Sequence, residues 1–178
     1  MLGNLGSAFN RLGQHNKAIK FHTKHLNICR ELGNRSGEGL AVCNLGSAFF
    51  SLGQHNKAIE FHTKSLNIYR ALGNRAGEGS AFGNLGNAFC TLGHHNKAIE
   101  FYTKSLNISR ALGDRAGEGR ALGNLGDVFS RLGQHSKAIE FLTKCFNIFR
   151  GLGKRAEEAR ALRNLEVTRH RQNAIVSD

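Results

Sequence analysis

Between Leu40 and Leu72 the apolar side chains fall into two helical series with a break between them. Ala41, Val42, Leu45, Ala48, Phe49 and Leu52 recur at intervals of three and four and predict an amphipathic helix, helix A. Gly53 interrupts the pattern. From about Asn56 a second series, Ala58, Ile59, His62, Leu66, Tyr69 and Leu72, predicts helix B, whose opposite side carries Glu60, Thr63, Lys64 and Asn67. Glu60 precedes Lys64 by four residues, the favourable order for a surface pair. Gly73 is placed to stop helix B in the left-handed conformation, and Asn74 to cap the next helix A. The unit is a helical hairpin.

The hairpin is repeated. NLGSAF, NLGSAF, NLGNAF and NLGDVF begin at Asn4, Asn44, Asn84 and Asn124, a period of forty, and residues 44–83 differ from 84–123 at nine positions. Self-similarity at a fixed period marks an array in which each unit buries its apolar face on the next. Gly46 lies in the middle of helix A, where glycine costs about 1 kcal/mol relative to alanine. It recurs as Gly6, Gly86 and Gly126, so packing must offset that cost.

Val42, Leu45, Gly46, Phe49 and Ala58, repeated as Phe82, Leu85, Gly86, Phe89 and Ala98 and as Leu122, Leu125, Gly126, Phe129 and Ala138, form a set that resembles the tetratricopeptide repeat. The resemblance implies an all-α solenoid, a right-handed superhelix of hairpins. It puts Gly46 where helices A and B touch, with Ala58 and Ser65 as small partners, and helix A on the inner surface. The usual unit is about 34 residues and ends near proline. This chain has none, and LGNRAGEG or LGDRAGEG joins its units. Units of this form resemble those of the partner-of-inscuteable family and, more closely, tetratricopeptide repeat protein 28-like arrays. No G-protein-binding motif of the former is present. HEAT repeats, the other helical hairpins of this length, lack the Leu-Gly and small-alanine pairing. The expected organisation is one array over 1–171, with units at about 1–35, 36–75, 76–115 and 116–155, a capping helix at 156–171 and a frayed tail at 172–178. Unit one starts inside helix A, as in a trimmed array. Glu166 stands where the other units have glycine, which fits a cap with no following helix B.

Helix A's polar stripe is the candidate peptide-binding groove. It comprises Asn4 and Ser7; Leu40, Asn44, Ser47 and Ser51; Ser80, Asn84, Asn87 and Thr91; Arg120, Asn124, Asp127 and Arg131; and Arg160, Asn164 and Arg171. An amide both donates and accepts, so an asparagine ladder is suited to a peptide backbone; bonds to a neighbouring helix or to water are the alternative. Three of the nine differences fall on this stripe, at 47, 51 and 80, as tuned recognition would produce. Arg120, Arg131, Arg160 and Arg163 would attract an acidic segment.

The net charge of +12 makes acidic partners relevant, but its lysines are spread, with Lys17, Lys57, Lys97 and Lys137 recurring once per unit. No apolar run approaches the roughly 20 residues of a membrane span. The start of the chain lacks a secretory pattern, and Cys29, Cys43, Cys90 and Cys145 show no metal or disulfide spacing; the expectation is a cytoplasmic protein with reduced thiols. His15, His55, His95 and His135 recur at the turn and read as packing residues, as do His22 and His62, which align with Leu142 and Tyr102. The repeated Gly-Glu-Gly has no strand before it, so it does not read as a phosphate loop. No catalytic set or cofactor site is expected. The sequence reads as a protein-interaction scaffold for a protein or peptide segment, acidic segments included. A basic nucleic-acid-binding repeat and a structural spacer are the alternatives.

Overall fold

The computed structural model describes residues 2–177, with side chains to residue 174. Every element in this span is a helix, and the expected A and B helices are all present in an all-α helical-repeat solenoid. The chain divides at His94/His95 into two compact units. The first holds α1 (Leu2–Arg11), α2 (His15–Glu31), α3 (Arg35–Ser51), α4 (His55–Ala71) and α5 (Arg75–Thr91). The second holds α6 (His95–Ala111), α7 (Arg115–Arg131), α8 (His135–Gly151) and α9 (Arg155–Ser177). In each, every helix packs on its sequence neighbours, and helix A members also meet one another: α1 on α3, α3 on α5, α7 on α9.

Local chemistry sets the helix ends. Glycine at positive φ follows each of α1 to α8, with φ of 80° at Gly53 and 64° at Gly73, a region that only glycine adopts freely. Asn34, Asn74 and Asp114 cap the following helix A by accepting from the Gly37, Gly77 and Gly117 amides at 2.8, 2.9 and 2.8 Å. Leu72, placed by its periodicity on the buried side of helix B, is the residue after that helix and is 44% exposed. The helix expected over 156–171 runs from Arg155 to Ser177, so the tail expected to fray from 172 is helical; Asp178 lies outside the described residues.

The core of the second repeat is Leu26, Ala41, Val42, Leu45 and Ile68, flanked by Ile19, Phe49 and Phe61. Gly46 does lie at the A–B contact, and the atoms nearest to it belong to His62 rather than to the small pair Ala58 and Ser65. A Cβ there would stand 2.6 Å from the His62 ring; at Gly6 it would meet His22 at 2.6 Å, and at Gly126 Leu142 at 2.6 Å. The missing side chain makes room for a large one on helix B. Glu166, at the same position in α9, is exposed.

A feature of the linkers went unread in the sequence. Glu38, Glu78 and Glu118, the acids of Gly-Glu-Gly, are buried at the start of helix A, and each is reached by an arginine from the end of the preceding helix B and another from its own first turn. Arg110 Nε and Arg115 Nη1 donate to Glu118 at 2.9 and 2.5 Å. Burial raises the Glu38 pKa, but hydrogen bonds from Arg30 and Arg35 outweigh it and hold the carboxyl below its ordinary value. The flanking glycines admit the neighbouring helices: a Cβ on Gly37 would stand 2.6 Å from Cys29 Sγ, and one on Gly39 3.0 Å from Ile68.

Candidate functional site

In the first unit the predicted stripe is a row of exposed and half-buried side chains on α1, α3 and α5, all polar except Leu40. Asn4, Leu40, Ser51, Ser80 and Thr91 are exposed, while Ser7, Asn44, Ser47, Asn84 and Asn87 are half-buried. Some of their hydrogen-bonding capacity is spent within the fold. Ser7, Ser47 and Thr91 donate to carbonyls four residues back, at 3.1, 3.3 and 3.0 Å. The Asn84 amide donates to Cys43 Sγ on α3 at 3.6 Å, and Asn10 to Ser51 at 3.5 Å. Burial pushes the Cys43 thiol up, with hydrogen bonds to Ser65 and Asn84 acting against it.

In the second unit, α7 and α9 bring together Asp127, Arg131, Asn164 and Arg171 around one pocket of about 430 Å³. Asn164 Nδ2 donates to Asp127 Oδ1 at 2.8 Å. Burial raises the Asp127 pKa, opposed by Asn164 and by the charges of Arg160 and Arg131. Arg120 is exposed and 3.6 Å from Asp114; Arg160 is exposed, and Asn124 half-buried. The asparagine at this register therefore ties one helix A to the previous one at Asn84 and Asn164. The open alternative of a bond to a neighbouring helix is realised there. Ser130, Val167 and Thr168 also line the pocket. Ser130 and Thr168 escaped the sequence reading because position 130 is Phe50 in the second repeat and Cys90 in the third, while position 168 is Ala48 and Ala88, so both looked like packing positions.

The recurring histidines and lysines pack. His55 lies 5.1 Å from the Phe50 ring, and His15 Nδ1 is 2.8 Å from Asn10 Oδ1. Phe49 and Phe61 stack at 5.1 Å, with Lys57 5.3 Å above the first and Lys64 5.3 Å above the second. Among the described residues no group of three metal-binding side chains gathers, and no helix is long and apolar enough to cross a membrane.

A family model described as Tetratricopeptide repeat matches residues 1–71, 41–111 and 77–151. No curated protein gives a significant match. Among solved structures, aspartyl phosphate phosphatase F from Bacillus subtilis is similar at a TM-score of 0.87 and 15% identity, over 99% of this chain and 47% of that one. A signal transduction ATPase with numerous domains and a tetratricopeptide repeat sensor, from Pyrococcus horikoshii, gives 0.82 and 20%, over 94% and 26%. A kinesin light chain-type protein with nearly identical TPR-like repeats from Podosopora anserina gives 0.71 and 17%, over 98% and 90%. At these identities the likeness is one of fold, and this chain spans under half of the first two proteins.

Proposed function

We propose, from the premise that this chain belongs to the tetratricopeptide repeat family, that it is a protein-interaction scaffold whose helix A faces receive a segment of a protein partner. The observation that carries the reading is the polar stripe itself. A helical pair needs no asparagine at one fixed register, yet Asn4, Asn44, Asn84, Asn124 and Asn164 hold that place in every repeat while the other positions of the stripe change. Where the structure engages this side chain through its NH2 group, as at Asn84 and Asn164, the amide is held in a fixed orientation, and an oriented amide is the better peptide-backbone partner. Arg120, Arg131 and Arg160 add a preference for negative charge. The protein so read acts without chemistry of its own, in the cytoplasm, and its units follow the forty-residue pattern of partner-of-inscuteable and protein 28-like arrays.

The net charge of +12 favours nucleic acid as the second reading. Against it, the Phe49–Phe61 pair offers little free ring face for base stacking, since each ring is covered by its partner on one side and by lysine on the other.

The test is capture of partners by the Asn84→Ala/Asn124→Ala variant, with circular dichroism as the folding control. The scaffold reading expects at least tenfold weaker capture at unchanged helicity. Undiminished capture at unchanged helicity removes the helix A face from recognition.

A further inference from the structure

We propose that the pocket between α7 and α9 is a subsite for one carboxylate side chain, an aspartate or glutamate of a partner segment, received between Arg131 and Arg171. The proposal rests on the helix A reading in the second unit and names what that face selects there.

The shape comes from two substitutions within the repeat. Ser130 stands where the second repeat has Phe50, a side chain that fills its surroundings and lies on His55; Thr168 stands where α5 has Ala88. Ser130 and Thr168 bond to each other at 3.1 Å, and Thr168 donates to the Asn164 carbonyl at 2.7 Å. A small polar wall thus replaces a phenyl ring and leaves about 430 Å³, more than enough for a carboxylate side chain.

The charge pattern decides what enters. Arg131 and Arg171 are exposed and, among the described residues, neither is within ion-pair distance of a carboxylate. Asp127 is the one acid lining the pocket. Asn164 occupies one of its oxygens, and it sits under the influence of Arg160 and Arg131. With one acid against Arg131, Arg171 and the nearby Arg160, the site remains net positive. A cation would be repelled, whereas a carboxylate meets two forked donors that, among the described residues, are in no ion pair. The corresponding positions of the first unit, Ser51 and Thr91, carry no charge, so this preference belongs to the second unit.

The experiment is fluorescence anisotropy with labelled octaglutamate and octaglutamine on the full chain. Four proteins are compared: the parent, Arg131→Ala/Arg171→Ala, Ser130→Phe/Thr168→Ala, and the charge-matched control Arg155→Ala/Arg169→Ala. The Ser130→Phe/Thr168→Ala variant keeps every charge and installs a pair already tolerated as Phe50 and Ala88 in the first unit. Octaglutamate is expected to bind the parent at least tenfold more tightly than octaglutamine, and both pocket variants should lose that margin while the control keeps it. Equal binding of the two probes by the parent overturns the proposal. So does an equal loss in the control, or full binding by the filled pocket, since either result reduces the effect to diffuse charge. If octaglutamate discriminates as expected but Asn84→Ala/Asn124→Ala leaves partner capture intact, the pocket stands and the asparagine ladder falls.

Discussion

At Gly46 a residue with poor helix propensity occupies the centre of a helix because a full-sized imidazole needs the space. The His62 ring is fully buried against it, and its Nδ1 has no hydrogen-bond partner among the described residues. Removal from water lowers the His62 pKa from 6.5 to about 4. The folded state therefore resists a proton that the unfolded chain accepts. Above pH 6.5 both states are neutral and the stability is complete; it falls as the pH drops from 6.5 toward 4, by up to about 3 kcal/mol. His22, against Gly6, is shifted the same way by burial and by His25. Leu142 fills the same seat in α8, so His62→Leu is compatible with the packing. Urea unfolding of the full chain at pH 7 and pH 5 is expected to show a smaller acid loss in His62→Leu than in the parent. An unchanged pH dependence would mean that His62 is not the acid-sensitive group. The sequence exposed the recurring glycine but not its partner. Histidine reads as polar in any hydrophobic pattern, and only its alignment with Tyr102 and Leu142 hinted at burial.

Helix ends are where single residues control whole elements of this fold. Asn74 ends the exposed run after α4, and its carboxamide oxygen accepts from the Gly77 amide in the first turn of α5. Four residues on, Glu78 anchors that same turn through Arg75 at 2.8 Å, with Arg70 of α4 at 3.9 Å. Loss of the cap in Asn74→Ala is expected to cost about 1 kcal/mol, read as a lower urea midpoint at unchanged slope. A midpoint equal to the parent's would show that another group caps α5. The cap was legible because asparagine before an apolar series is a local signal. The acid clamp was not, since its arginine arrives from the previous helix, eight residues away at Arg30 and Glu38, and its meaning depends on the glutamate being buried. Its neighbours Gly37 and Gly39 admit the flanking helices, which explains why a glycine-rich tract, ordinarily a loop signal, stays helical here.

For the molecule as a whole, the forty-residue period carried the hairpins and the family, because every repeat restates the same packing problem and one solution serves them all. Recognition was less legible. Periodicity says which side chains share a face. It does not say that Asn84 and Asn164 are tethered, or that Ser130 and Thr168 open a pocket, because these depend on side chains that differ between repeats. The claim that the helix A faces are the recognition surface is tested most directly by amide hydrogen exchange of the full chain with and without a captured partner. Slowed exchange is expected in peptides from α3, α5, α7 and α9, with α4 and α8 unchanged. Protection concentrated on α4 and α8 instead would contradict it.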